Sequence, residues 1–314
     1  MKPFRFGVQA AQLPSDRWED AARQIEALGY STLFFPDHFG SQWDPMTALP
    51  AISTATETLN VGSLVYDIDY RHPVIYAKAA ATLHVLSGGR FEFGIGAGWM
   101  ETDYVEAGLH YDRAGVRISR LDEALQIIFS MWQNERTSFE GEHYTIREIA
   151  QAVALPEGQR PKVLIGGGGK RLLTLAGRYA DIVGINPALP EGRVTSATPA
   201  DSSPERIREK VSWVREGAIA AGRNPDDIEL NSLTFVTAIV DDPSSVREAI
   251  AKSSEMTVEQ VADCPLFLTG SASEIRDRLE KRREDTGISY TVIQAGDDAL
   301  LETFAKEIVE PLTR

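Results

Sequence analysis

Short apolar segments alternate with helical patterns along the whole chain, and this alternation restricts the fold more than any other feature. Helical segments separate eight predicted strands, which cover residues 4–9, 31–35, 60–66, 91–97, 162–166, 181–185, 228–240 and 289–294. Parallel strands need long crossover connections, so repeated strand–helix units indicate a parallel sheet. Eight such units predict an α/β fold of the closed (β/α)8 TIM barrel type. A doubly wound open sheet is the alternative, but its usual glycine fingerprint is missing.

The predicted barrel occupies residues 1–314 as a single domain with two insertions. One insertion covers residues 135–160, roughly, and the other covers residues 186–203, which are rich in Pro, Ala, Ser and Thr. The second insertion is longer than an ordinary barrel loop, so it is a candidate lid.

The charge and cysteine content limit the partners. The net charge is −14, which disfavours nucleic acid and anionic membranes. Cys264 is the only cysteine, so we expect no intrachain disulfide and a cytoplasmic location. No run of about 18 apolar residues is present, so no membrane span is expected. We therefore expect a small-molecule substrate, and the sequence leaves a homodimer open.

A glycine-rich turn follows the fifth predicted strand. Four glycines at 166–169 stand between an apolar segment and a helical pattern that begins with two cations. Glycine lets the backbone approach a ligand, and a helix N-terminus offers N–H groups to an anion. The pattern matches neither a Walker A loop nor the dinucleotide fingerprint. It predicts an anion-binding loop made by Gly167, Gly168, Gly169, Lys170 and Arg171. A turn without a ligand is the alternative.

Asp37 and His38 follow the second predicted strand, at the end of the barrel where active sites lie. Histidine exchanges protons near neutral pH, and a neighbouring carboxylate can orient it or tune its pKa. We therefore predict that His38 does acid–base chemistry or stabilises charge on the substrate, and that Asp37 orients it or tunes its pKa. The alternative is that Asp37 caps a turn and His38 packs in the loop. No HExxH, paired CxxC or GxSxG motif occurs, so neither a metal site nor a serine hydrolase is expected.

The fourth predicted strand ends in alternating glycines at 94, 96 and 98. Small residues there leave space above the barrel for a flat ring, although close packing between strands explains them equally well. Trp43 and Trp99 lie near the predicted barrel mouth, where they either border a ring pocket or close the core.

Together these segments resemble the bacterial luciferase-like superfamily of flavin and deazaflavin oxidoreductases, over residues 4–312. The resemblance rests on residues 35–39, 61–65, 71–73, 86–99, 165–169 and 265–271, the last of which resembles the turn before the final helix of the family. The Asp37–His38 pair resembles the branch that uses coenzyme F420, a deazaflavin.

The resemblance also implies where the cofactor lies. The ring would lie beside His38 at the barrel mouth, and its anionic tail would run toward residues 166–171. A non-prolyl cis peptide would join Leu64 to Val65. The residues implied to contact the ring are Ser63, Leu64, Val65, Gly96, Ala97 and Gly98. The sugar-phosphate dehydrogenases of the family carry a catalytic acid at the position of Trp99, so their substrate is not implied here.

The implied function is hydride transfer between coenzyme F420 and an organic substrate. An FMN-dependent monooxygenase on the same barrel is one alternative. A non-catalytic flavin-binding barrel is another, because a fold alone does not establish catalysis.

Overall fold

Eight parallel strands form a closed barrel in the computed structural model, which describes residues 1–151, 153–156, 158–188, 195 and 197–314. The strands in chain order are β1 (Arg5–Gln9), β2 (Thr32–Phe35), β3 (Asn60–Ser63), β4 (Tyr66–Asp67), β5 (Phe91–Gly96), β6 (Arg136–Glu140), β7 (Thr145–Ala150), β8 (Lys162–Gly167), β9 (Ile182–Ile185), β10 (Glu229–Thr234), β11 (Val236–Ile239), β12 (Phe267–Gly270) and β13 (Ile288–Gln294). The barrel order is β3, β2, β1, β13, β10, β9, β8 and β5, and pairing between β3 and β5 closes it. The predicted TIM barrel is thereby confirmed.

Helices lie between the strands and around the barrel. They are α1 (Trp18–Ala27), α2 (Pro45–Ala55), α3 (Pro73–Leu86), α4 (Glu101–Ala107), α5 (Ala114–Gln133), α6 (Lys170–Tyr179), α7 (Pro204–Ala220), α8 (Ser244–Ser254), α9 (Val258–Asp263), α10 (Ala272–Thr286), α11 (Asp298–Phe304) and α12 (Glu310–Thr313). Local signals fix several of their ends. Helix α10 begins with a capping box between Ser271 and Glu274 and ends at Gly287, which has a left-handed conformation.

The barrel interior is filled at the amino ends of its strands. There Arg5 forms ion pairs with Glu92 and Glu229, while the Tyr290 hydroxyl donates a hydrogen bond to Glu92. An apolar cluster fills the middle of the interior and consists of Phe34, Leu164, Ile182, Tyr290 and Val292, with Leu64, Val65 and Leu233 packed against it. This packing leaves the carboxyl ends of the strands as the place for a site.

The seventh predicted strand is wrong. Residues 228–240 were expected to form one strand, but the chain leaves the barrel after β10, and β11 pairs with β12 in a separate parallel sheet. The backbone N–H of Phe235 donates to Leu266 O, and the Phe235 side chain packs against a second apolar cluster. The strand that pairs with β11 is β12, which lies within residues 265–271. These residues were expected to form a turn. Apolar periodicity alone cannot distinguish one long strand from two strands in different sheets.

The first insertion folds as an antiparallel hairpin of β6 and β7. In the second insertion, residues 189–194 and 196 lie outside the described residues, so the lid interpretation stays a prediction. Its final part is anchored by Lys210, whose buried ammonium donates to Asp201 Oδ2 at 2.6 Å and to Asn186 O at 2.9 Å. The single-domain interpretation also stays a prediction.

Candidate active site at the barrel mouth

His38 contacts a buried carboxylate at the mouth of the barrel. Its Nδ1 lies 2.6 Å from Oδ2 of Asp103 on α4, and the Tyr70 hydroxyl donates to the same oxygen at 3.1 Å. A carboxylate accepts hydrogen bonds, so Nδ1 of His38 is the donor in this contact, and Nε2 is the ring nitrogen that Asp103 does not hold. The ring of Trp99 meets the imidazole edge-on with 5.7 Å between ring centroids. The arrangement holds the imidazole in one orientation beside an aromatic side chain.

Asp37 does not orient His38, which corrects the prediction from the sequence. Its two carboxylate oxygens lie 2.9 and 3.1 Å from one guanidinium nitrogen of Arg71, and the backbone N–H of Asp67 donates to it. Burial raises the pKa of Asp37 above its ordinary value, although Arg71 acts in the opposite direction. Neighbouring residues in extended chain point to opposite sides, which is why Asp37 faces Arg71 while His38 faces Asp103.

A second acidic group lies behind the mouth and was missed by the sequence analysis. The Tyr104 hydroxyl oxygen lies 2.7 Å from Asp67 Oδ2 and 3.0 Å from Asp69 Oδ2, and Arg120 donates to Asp69 at 2.7 Å. Burial raises the pKa of Asp67 to about 7. Gly98 packs against this acidic group and has a φ of +69°. A Cβ at Gly98 would lie 2.0 Å from the Tyr104 hydroxyl.

The glycines of β5 allow a close approach by the chain that follows β3. A Cβ at Gly94 would lie 1.9 Å from Ser63 O, and one at Gly96 would lie 2.8 Å from Cγ2 of Val65. Close packing therefore explains both glycines, and a ring above them stays a prediction. The Leu64–Val65 peptide is cis, as predicted. The Leu64 carbonyl accepts a hydrogen bond of 2.6 Å from Gln9 Nε2.

The glycine-rich turn connects β8 directly to α6, as predicted from the sequence. Helix α6 begins at Lys170, with Gly169 at its N-cap position. The Lys170 side chain is 65% exposed, and its Nζ lies 3.9 Å from Oε2 of Glu216. Arg171 donates to Gly115 O at 2.9 Å and to Ser119 Oγ at 2.7 Å. The turn thus places one exposed cation at a helix N-terminus and uses the other to contact α5.

Gly167 and Gly168 are needed for packing in this turn. A Cβ at Gly168 would lie 2.4 Å from the backbone nitrogen of Ala188, and one at Gly167 would lie 2.6 Å from Cδ2 of Leu172. The predicted ring contacts Ser63 and Ala97 are both buried, and Ser63 Oγ donates to Phe35 O at 3.0 Å. Binding roles for these residues stay predictions.

Two absences hold for the part of the chain that the structure describes. In that part, no group of three or more His, Cys, Asp or Glu side chains is arranged to hold a metal ion. The helices of the same part are all too short or too polar to cross a membrane.

Known proteins resemble this chain over most of its length. The family model for luciferase-like monooxygenases matches residues 3–305. An F420-dependent glucose-6-phosphate dehydrogenase of Microbacterium testaceum is 31% identical over 238 residues, which cover 72% of this chain and 66% of that relative. A phthiodiolone/phenolphthiodiolone dimycocerosates ketoreductase of Mycobacterium tuberculosis is 29% identical over 305 residues, which cover 86% of this chain and 78% of the relative.

One solved structure shows the likeness of the fold. The coenzyme F420-dependent tetrahydromethanopterin reductase of Methanopyrus kandleri superposes with a TM-score of 0.79 at 18% identity. The match covers 99% of this chain and 100% of that one.

Proposed function

Because this chain belongs to the luciferase-like monooxygenase family, we propose that it is an oxidoreductase that transfers a hydride between coenzyme F420 and a small organic substrate. The observation that carries the proposal is the pair of His38 and Asp103 at the carboxyl ends of the barrel strands, with Nδ1 to Oδ2 at 2.6 Å. The F420-dependent relative supports the choice of cofactor.

The residues at the mouth fit a flat ring with an anionic tail. The turn before α6 has Lys170 at the start of the helix, where backbone N–H groups and an ammonium group favour an anion. The residues that would hold the ring are Ser63, Leu64, Val65, Gly96, Ala97 and Gly98, and those that would hold the tail are Gly167, Gly168, Gly169, Lys170 and Arg171. When bound, F420 supplies the hydride-transfer chemistry.

His38 would exchange a proton with the oxygen of a hydroxyl or carbonyl substrate. Asp103 keeps the proton on Nδ1, so Nε2 is the nitrogen available to the substrate. Trp99 packs against the imidazole and would limit access of water to that side. The ketoreductase relative acts on compounds whose name indicates a ketone, which is consistent with such a substrate.

Titration of the purified protein with F420 and FMN side by side tests the cofactor. We expect tight binding of F420 that weakens as salt rises, and weaker binding with less salt dependence after Lys170→Ala together with Arg171→Ala. Tight binding of FMN alone would instead favour a monooxygenase. F420 binding without turnover of any alcohol or ketone in a broad panel would favour the non-catalytic barrel.

We further propose that the chain forms a homodimer through α2 and α3. The outer side of α3 exposes Ile75 (52%), Val85 (49%) and Leu86 (64%). An apolar groove of about 390 Å³ lies between the two helices. Such a surface is typical of a contact with another protein, and a second copy would cover the same face on both molecules.

The cysteine content and the net charge support proposals about the location and the partners of the protein. We propose a cytoplasmic enzyme, because Cys264 is the only cysteine and F420-linked chemistry needs no disulfide. A net charge of −14 supports a small-molecule substrate rather than nucleic acid as the partner.

A further inference from the structure

Asn231 places an unsatisfied amide inside the barrel. The residue lies on β10 and is only 1% exposed. Among the residues that the structure describes, its Nδ2 has no hydrogen-bond partner. Burying an amide donor without a partner is unfavourable, so each such group in a folded protein needs an explanation. Asn231 belongs to none of the sequence motifs described above, and the chemistry proposed for His38 does not use it.

The Asn231 amide lies beside two glycines on the neighbouring strands. Asn231 is opposite Gly184 in the register of β10 and β9, and Gly184 is opposite Gly166 in β8. A Cβ at Gly184 would lie 3.2 Å from the Gly166 Cα and 3.5 Å from Asn231 Oδ1. Nδ2 of Asn186 would lie 3.2 Å from a Cβ at Gly166. The amide side chains of Asn231 and Asn186 therefore lie next to two glycines, at a place where the strands pack closely.

This part of the barrel wall lies opposite the strand whose end is predicted to contact the ring. In the barrel order, β10 stands four strands from β3 in either direction, so the two strands oppose each other. Leu233, two residues after Asn231 and on the same face of β10, packs in one cluster with Leu64 and Val65. A flat group inserted between these walls would bring one edge toward Asn231.

We propose that Asn231 binds the cofactor ring by donating a hydrogen bond from Nδ2 to a ring carbonyl oxygen. The proposal rests on the proposed function, because a deazaflavin carries carbonyl acceptors along one edge of its flat ring. An amide suits this edge, since it offers a donor and an acceptor side by side. The unsatisfied donor is then the part of the site that the cofactor completes.

Replacement of Asn231 by leucine tests this role, with F420 affinity and the Tm of the cofactor-free protein as the two measurements. Asn231→Leu keeps the approximate size and removes the donor. We expect F420 binding to weaken about tenfold or more. We expect the Tm without cofactor to stay level or rise, because the variant no longer buries an unpaired amide. Asn231→Ala provides a second variant if the leucine does not fit.

Ser232→Ala is the matched control. Ser232 is the next residue of β10, is 3% exposed, and also has an unpartnered side-chain oxygen among the described residues. It points to the opposite face of the strand, so its replacement should leave F420 affinity unchanged.

Three results would overturn the assignment. The first is an F420 affinity that is unchanged in both Asn231 variants. The second is a Ser232→Ala variant whose F420 affinity falls as much as that of the Asn231 variants. The third is a loss of F420 affinity that occurs only in Asn231 variants whose Tm without cofactor is also lower than that of the wild type. Failure of the proposed function is separate, since wild-type protein would then bind FMN instead of F420. FMN has the same carbonyl edge, so weaker FMN binding by Asn231→Leu would uphold the role of Asn231, and unchanged FMN binding would overturn it.

Discussion

Asp103 holds the Nδ1 side of His38, and replacing it with asparagine separates orientation from charge. An asparagine can present either its oxygen or its NH2 group to Nδ1, so the imidazole loses its fixed tautomer. With Asp103→Asn we expect kcat to fall roughly 10- to 1,000-fold, which overlaps the lower part of the range of about 10²–10⁴-fold known for acid–base groups. The Kd of F420 should change less than about threefold.

Asp103→Glu is the control for Asp103→Asn, because it keeps a carboxylate near the ring. This variant should recover part of the lost kcat. If Asp103→Asn turns over at the wild-type rate with an unchanged pH profile, Asp103 does not position His38.

The raised pKa of Asp67 should make the folded protein less stable as the pH rises. Burial raises this pKa from 3.8 to about 7, so between these values the folded protein holds a proton that the unfolded chain has lost. The free energy of unfolding should therefore decrease as the pH rises from 4 to 7, with roughly 1–4 kcal/mol attributable to this group.

Asp67→Asn removes this titration and resembles the protonated acid in shape. Relative to wild type, the variant should become more stable as the pH rises through that window. Urea unfolding at several pH values measures the difference, and parallel curves for the two proteins would show that Asp67 is ionised in the fold.

The sequence alone could place His38 at the site but could not identify its partner. A residue directly after a barrel strand lies at the mouth, so its neighbour Asp37 was the natural candidate. Asp103 is 65 positions away in the chain, and only the closing of β2 and β5 into one barrel brings them together. Asn231 gave no signal for the same reason, because an unpartnered amide is visible only after its surroundings are known.

At the scale of elements, the strand–helix alternation predicted most boundaries within one or two residues. The chain around Phe235 was the main exception, because strand propensity does not reveal which partner a strand takes. The third predicted strand also differs from the observed one. It was expected over residues 60–66, whereas β3 ends at Ser63 and the short strand β4 begins at Tyr66.

Helices α6 and α7 contact each other through two glycines. Replacing one of them with alanine should therefore destabilise the protein, although helix propensity alone predicts the opposite. A Cβ at Gly217 would lie 2.0 Å from Thr174 O, and one at Gly177 would lie 2.1 Å from Val214 O. Glycine to alanine inside a helix ordinarily stabilises by about 1 kcal/mol. We expect Gly217→Ala to destabilise by roughly 1–3 kcal/mol instead, because the two backbones must separate.

Urea unfolding compares Gly217→Ala with Gly169→Ala. Within the described part of the chain, nothing lies within 4 Å of a Cβ at Gly169, so this control should change stability much less. A stabilised Gly217→Ala would show that the helices can move apart at little cost.

For the whole molecule, the two ends of the barrel differ. Charged side chains fill the interior at one end, and the candidate active site lies at the other. Arg5 and its carboxylate partners occupy the amino end of the interior. The glycines, the His38–Asp103 pair and the start of α6 lie at the other end. This polarity follows from parallel strands, which bring all their carboxyl ends together. The difference between the two ends of the barrel does not explain the surface formed by α2 and α3. The exposed apolar residues of this surface need a different explanation.

A homodimer accounts for that side and gives the prediction at this scale. The wild-type protein should sediment at twice the chain mass of 34.5 kDa. Ile75→Glu together with Leu86→Glu should shift it to the mass of one chain, because an isologous interface buries each introduced charge twice. Ile219→Glu is the matched control, since Ile219 has the same 64% exposure as Leu86 but lies on α7. Dimers that persist in the double variant, or a wild type that sediments as one chain, would exclude this interface.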